Sequence, residues 1–182
     1  MDCASPREAA RPTPPEKPAF VRVLQQSHEF CCAELQNIAA LVWNHPPTLH
    51  AFEQTGAAMR TVIDAHPDSV GLLMVLRSGY NTEEAALVRQ ANARRIRELG
   101  DAVAAMATVV GGNDVFGRLN RLPLRLRLPL ARGVKERYFG RPGDACAWLA
   151  EVLSETGKPA PCSEELVSSL DWLLDFYPGP QA

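Results

Sequence analysis

Short, continuously apolar runs alternate with longer segments of helical periodicity between Gln36 and Leu153, and this alternation constrains the fold more than any other feature. The runs at Ser69–Arg77 and Asp101–Gly112 are apolar at both odd and even positions. A strand with one face in water would alternate polar and apolar residues, so these runs indicate strands that are covered on both faces. Each is followed by apolar residues spaced three or four apart, as in a crossover helix. The pattern predicts an α/β domain with an open, mostly parallel sheet of four or five strands.

The apolar runs and the helical spacing place the individual elements. Strands are predicted at Ile38–Trp43, Val70–Leu76, Ala102–Val110 and Lys135–Phe139. Helices are predicted from Thr48 to His66, from Asn81 to Leu99, from Asp144 to Glu155 and from Ser163 to Tyr177, with Thr48 and Asp144 as caps. Residues 20–35 suit either strand or irregular structure. Residues Arg121–Leu130 alternate Leu with Arg or Pro, as in a strand, but the apolar residues from Val115 to Leu130 have helical spacing. A helix kinked or broken near Pro123 is favoured.

Composition divides the chain into three parts. Five prolines among Ala, Arg and Glu, with no large apolar residue after Met1, predict a disordered tail over residues 1–19. The α/β domain is expected at 20–156, and a linker with an added amphipathic helix at 157–182. That helix has a row of apolar residues whose exposure to water would be unfavourable. It is therefore expected to pack on its own domain near Arg118–Arg132 or across a homodimer.

Charge and cysteine content limit the cellular setting. The net charge is −2, and no apolar run approaches the ~20 residues that span a bilayer. The N-terminus lacks the apolar stretch of a secretory signal. Five cysteines without C-x-x-C spacing match neither a disulfide framework nor a zinc site. We therefore expect a cytoplasmic protein without membrane insertion, in which cysteines fill apolar space.

The end of the predicted domain carries a family resemblance. The strand at Val134–Phe139 ends in an aromatic residue, and the helix after it contains Ala145, Ala147, Trp148 and Leu149. With the strand–helix order from Gln36 to Leu153, this resembles the STAS fold of anti-sigma-factor antagonists, and more closely its SpoIIAA-like branch. Proteins of this fold are mostly regulatory binding modules without catalysis. The resemblance therefore implies a STAS-like domain with a regulatory role.

The resemblance also implies where a functional segment lies. In the sigma-regulating members, a phosphorylatable Ser sits in the loop and helix start after a central strand, which corresponds here to Arg77–Glu84. Ser78 or Thr82 would be the counterpart, although the Asp-x-Ser context of the phosphorylated members is absent. The resemblance makes these two residues the candidates for phosphorylation.

The same segment is notable without any resemblance. Ser78, Tyr80, Asn81 and Thr82 follow a predicted parallel strand, and open α/β sheets bind ligands at the carboxyl ends of their strands. These four residues are therefore the candidate partner-binding residues. A plain turn followed by a helix cap explains the same residues, since Ser, Asn and Thr favour both, and the turn chemistry alone favours that alternative.

No recognisable catalytic set is present in the sequence. The histidines lack metal-ligand spacing, no residue stands in a nucleophile motif, and Gly111-Gly112 belongs to no phosphate-binding pattern. The segment from Gly112 to Arg141 contains eight basic residues and two acidic ones. Few aromatic residues are interleaved with the basic ones, so binding to nucleic acid is not favoured. We expect no enzyme activity, no metal and no cofactor.

These observations lead to one functional hypothesis and one alternative. The hypothesis is a non-enzymatic bacterial regulatory module that binds another protein through the segment Arg77–Glu84. The alternative is a module that binds a small molecule or a lipid. Trp148, in the helix after the last strand, is expected to be largely buried against the sheet.

Overall fold

The structure is a computed structural model that describes residues 17–67, 69–77, 82–110, 134–157, 160–177 and 179, with the backbone alone at 82, 83 and 85. Six strands form one sheet in the order β1 to β6. Their bounds are Val21–Gln26, Phe30–Leu35, Ile38–Trp43, Val70–Leu76, Val103–Val110 and Lys135–Phe139. The first three strands pair antiparallel, and β3 to β6 pair parallel. The predicted α/β class and its mostly parallel sheet are confirmed, but the predicted number of four or five strands is wrong, because residues 20–35 add two antiparallel strands.

The four predicted strands are β3, β4, β5 and β6, with a difference of one residue at the start of β5. All six residues of β3 are buried, as the continuous apolar run predicts. The segment that suited strand or irregular structure forms β1 and β2. Strand β1 is half-exposed and carries a bulge between Val23 and Gln25, so its alternation is interrupted.

Five α-helices lie in the described ranges: α1 Leu49–Gln54, α2 Gly56–Ala65, α3 Thr82–Leu99, α4 Pro142–Ser154 and α5 Ser163–Phe176. Helices α1 to α3 pack on one face of the sheet, against side chains such as Leu41 and Leu72. Helices α4 and α5 pack on the other face, against side chains such as Val42 and Val75. The adjacent Cys31 and Cys32 point to opposite faces, as expected for a strand.

The single helix predicted from Thr48 to His66 is wrong, because it breaks at Thr55. Arg95 of α3 occupies the break, and its guanidinium donates to Phe52 O and to Thr55 Oγ1, both at 2.8 Å. It also lies 3.9 Å from the centre of the Phe52 ring. The predicted cap is confirmed, since Thr48 Oγ1 accepts a hydrogen bond from Ala51 N at 3.1 Å.

Two predictions near the last strand need correction. Helix α4 begins at Pro142, so Asp144 lies within its first turn and is not the cap. Proline suits the start of a helix because it has no amide proton to leave unpaired. Trp148 is only half-buried, because it packs on Phe139 of β6, the last strand of the sheet, with ring centres 5.5 Å apart.

The C-terminal helix α5 packs on its own domain. Leu166, Leu170 and Leu173 are almost fully buried against α4 and β2, within the same apolar cluster as the sheet. Residues 118–132 lie outside the described ranges, as does the segment predicted as a broken helix. In the described part of the chain, no helix is long and apolar enough to cross a bilayer.

Candidate functional site

The carboxyl ends of the parallel strands β3 and β4 lie side by side at one edge of the sheet. Trp43 and Leu76 are register partners there, and Arg77 N donates to Trp43 O at 3.0 Å. The residues that follow these strands are Asn44 and Arg77, and both are held in place by hydrogen bonds. Open α/β sheets bind ligands at this kind of edge, so the edge is the candidate site.

Arg77 connects this edge to the end of α5. Its Nη1 donates to Asn44 Oδ1 at 3.4 Å and to Tyr177 O at 2.5 Å, and its Nη2 donates to Leu174 O at 2.5 Å. The last carbonyls of a helix have no partner within the helix, and a cation there also interacts favourably with the helix dipole. Arg77 thus caps α5. Burial lowers the pKa of Arg77, and the nearby Tyr177 and Asp175 partly offset this.

Tyr177 connects the end of α5 to the turn between β1 and β2. Its side chain is buried, and its hydroxyl donates to Ser27 O at 2.8 Å in the turn between β1 and β2. Burial raises the pKa of Tyr177 to about 12, so the phenol stays protonated and remains a hydrogen-bond donor at neutral pH. Ser27 Oγ accepts from the amides of Glu29 and Phe30, both at 3.2 Å, which orders the turn.

A shallow groove of about 640 Å³ lies beside Tyr177 and this turn. Its lining residues are Gln26, Ser27, His28, Asn44 and Tyr177. His28 and the neighbouring His45 are exposed, with ring centres 6.3 Å apart. Asn44 and Tyr177 are buried, so the exposed polar side chains of the lining are those of Gln26 and His28.

The other side of the edge is formed by the start of α3. Glu84 Oε2 accepts a hydrogen bond from Leu49 N at 3.2 Å, which ties α3 to the first residue of α1. One turn further, Leu87 is 48% exposed, one of three large apolar residues in the described ranges with so much surface in water. The segment after β4 is therefore flanked by two anchored residues, Arg77 and Glu84.

The predicted site residues lie between these anchors. Ser78, Tyr80 and Asn81 are outside the described residues. Thr82 begins α3, and its side chain is also outside the described part. The structure therefore shows where the segment starts and ends, and the roles predicted for these four residues stay predictions.

Sequence reasoning missed Arg77 as an anchor. Its partners Leu174 and Tyr177 lie 97 and 100 residues away, and no local pattern links them to the end of β4. The only available sequence signal was a basic residue that ends an otherwise apolar strand, just before a segment rich in turn-forming residues.

Three thiols are unsuited to nucleophilic chemistry. Burial raises the pKa of Cys31 to about 11 and the pKa values of Cys32 and Cys146 to about 12, so all three stay protonated at neutral pH. Within the described ranges, no three His, Cys, Asp or Glu side chains are grouped so that they could hold a metal ion.

Comparison with known proteins gives no assignment. A scan against protein-family models and searches of curated proteins and of solved structures find no match to this chain.

Proposed function

We propose that this protein is a non-enzymatic regulatory module of STAS-like, SpoIIAA-like character that acts in the bacterial cytoplasm by binding another protein. The docking surface is the segment 77–84 together with the outer side of the first turns of α3. The observation that carries the proposal is the exposed Leu87 beside a segment whose two ends are anchored to the scaffold.

Anchored ends favour a binding role for a segment. Recognition residues commonly lie on loops that a rigid scaffold positions. A loop with fixed ends loses less conformational entropy on binding than a freely moving one. Arg77 fixes the start of this segment against α5, and Glu84 fixes its end against α1. The same segment contains the predicted contact residues Ser78, Tyr80, Asn81 and Thr82.

The exposed side of α3 indicates the chemistry of the partner. Leu87 lies on the same side of the helix as the exposed Gln90 and Arg94, and Arg97 follows in the last turn. An apolar contact next to basic groups suits a partner that has an apolar pocket bordered by acidic residues.

The test is affinity capture with the full chain as bait in a bacterial lysate. Leu87→Asp should reduce capture of the specific partner at least about tenfold, because it places a charge in an apolar contact. Phe176→Asp is the matched control, since it places the same charge at an apolar side chain of similar exposure on α5, away from the proposed surface. Capture by Leu87→Asp at the level of the parent protein would remove α3 from the interface.

Ser78 and Thr82 remain the candidates for phosphorylation of this surface. A phosphate would add negative charge beside Arg77 and near Glu84, and would therefore change which partners fit. Intact-mass analysis of protein purified from its native host tests this, with Ser78→Ala and Thr82→Ala locating the modified residue. An unmodified mass under all growth conditions would count against the switch.

Small-molecule or lipid binding is the second candidate function, and the groove lined by Ser27, Asn44 and Tyr177 favours it. Native mass spectrometry of the purified chain would reveal a bound molecule as a defined mass increment. Asn44→Leu should abolish that increment if the groove holds the molecule. A retained increment in this variant would place the ligand elsewhere.

A further inference from the structure

Another cavity lies at the other end of the sheet, where the parallel strands β5 and β6 begin. It measures about 340 Å³ and is enclosed by these strand ends, the short helical turn Gly100–Ala102 and the end of α4. This volume is at the lower end of the ~300–1,000 Å³ range of ligand pockets, so it suits a small molecule. The segment 77–84 follows the carboxyl end of β4, so the two sites are at opposite ends of the sheet.

Charged side chains of both signs line this cavity. Lys135 begins β6 and forms an ion pair with Glu155, which directly follows α4. Both side chains are more than half exposed, so a molecule in solution can reach them. Asp101 is also exposed and forms no ion pair within the described ranges. The cavity therefore presents one ammonium group and two carboxylates.

The rest of the lining is mainly apolar. Ala104 is half-buried, and the almost fully buried Val103 and Val152 also line the cavity. Ala104 is the extra residue where the pairing of β5 with β4 shifts register. Irregularities of this kind are common next to binding sites, because they change the direction of a side chain. Charged groups thus lie close to an apolar surface in one small cavity.

The ion pair between Lys135 and Glu155 decides which small molecule fits. A simple cation that bound Glu155 would leave Lys135 without its partner, and a simple anion that bound Lys135 would leave Glu155 without its partner. A molecule that carries both charges can bind both side chains and leave neither unpaired. Its positive group can also bind Asp101, because an ammonium group has three donors.

We propose that this cavity binds a zwitterionic small molecule, namely an α-amino acid with a small apolar side chain. Its carboxylate accepts a hydrogen bond from the ammonium of Lys135, and its own ammonium donates to the carboxylates of Glu155 and Asp101. Its apolar side chain contacts Ala104. This site is separate from the surface around Leu87 and does not rest on the proposed function.

The test is a titration of the full chain with L-valine and with L-leucine, followed by NMR of the backbone amides. Both amino acids should cause saturable shifts at residues 100–104 and 155–156. The methyl ester of L-leucine lacks the negative charge, and N-acetyl-L-leucine lacks the positive one. Each should bind at least about tenfold more weakly than L-leucine, because each loses a hydrogen bond between charged groups.

Variants of the charged residues test the same contacts from the side of the protein. Lys135→Met and Asp101→Asn should each weaken the binding of L-leucine at least about tenfold. Lys135→Arg keeps the charge and should retain binding, which separates loss of the charge from damage to the fold. Arg94→Met is the matched control, since Arg94 forms a similarly exposed ion pair with Glu98 on α3 and should leave the affinity unchanged.

Three results would overturn the proposal. The first is the absence of saturable shifts with either amino acid, and the second is shifts that lie away from the cavity. The third is equal binding of L-leucine and its methyl ester, because the protein would then bind a simple cation. Failure of the proposed function looks different, since it is measured by capture of a partner through Leu87, and none of these titrations depends on that surface.

Discussion

The two faces of the sheet are built differently. The face covered by α4 and α5 is one continuous apolar cluster that extends from β1 to β6. The face covered by α1, α2 and α3 contains two clusters, and Arg95 contacts Phe52 of one and Met59 of the other. The continuous face therefore supplies mainly apolar stabilisation. The divided face accommodates a charged group in its interior and carries the exposed Leu87 on its outer side.

The largest change in the free energy of unfolding should come from substituting leucines of the continuous face. Leu149→Ala and Leu170→Ala each remove a fully buried side chain from that cluster, so each should lower the free energy of unfolding by about 2–5 kcal/mol. Urea denaturation followed by circular dichroism measures this. The control is Leu87→Ala on the other face, which should stay within about 0.5 kcal/mol because Leu87 is exposed. A small effect at Leu170 would mean that α5 is only loosely attached.

The next effect concerns the charged group inside the divided face. Arg95→Met keeps most of the apolar contact with Phe52 but removes the hydrogen bonds to Phe52 O and Thr55 Oγ1. We expect a loss of about 2–4 kcal/mol in the free energy of unfolding, by the same urea titration. Arg94→Met, the exposed neighbour, is the control and should change little. Unchanged stability in Arg95→Met would show that the break between α1 and α2 does not need this residue.

A smaller effect is expected at the edge of the continuous face. Trp148→Ala should cost about 1–3 kcal/mol, less than a fully buried aromatic, because half-exposed Trp148 has only part of its area to lose. Thermal unfolding, with Leu149→Ala measured in parallel, gives the ranking. A larger loss for Trp148 than for Leu149 would contradict the half-buried placement.

The last expected effect is a pH dependence shared by both faces. Burial raises the pKa of Cys31 to about 11 and the pKa of Cys32 to about 12, against 9.0 for a free thiol. Above pH 9 the unfolded chain releases these protons first, so stability is full below about pH 9 and falls as the pH rises toward 12. Urea midpoints over this range should fall less steeply in Cys32→Ala than in the parent. Parallel slopes in the two proteins would be the contrary outcome.

The central strands could be predicted from the sequence because their environment is uniform. Residues of β3, β4 and β5 are buried on both faces, so a continuous apolar run is sufficient evidence. Strand β1 could not be assigned, since it is half-exposed and bulged and therefore resembles an irregular segment. Local composition therefore predicts a strand that is buried on both faces well, and it predicts the pairing of a strand at the edge of the sheet poorly.

The features that sequence reasoning missed depend on distant contacts. At the break, Thr55 is bonded to Arg95, 40 residues later, and the end of α5 is capped by Arg77, nearly 100 residues earlier. Neither contact has a periodic pattern. The candidate segment could be proposed from strand order as well as from the family resemblance, because the carboxyl end of a parallel strand is a general ligand-binding position.

The most direct test of the account uses cross-linking from the two faces of the folded protein. A photo-activatable residue replaces Leu87 on α3 in one variant and Phe176 on α5 in another, since both side chains are exposed to a similar degree. The proposed docking surface predicts a specific protein adduct from position 87 and none from position 176. An adduct from position 176 alone would contradict it and would place partner binding on the α4–α5 face.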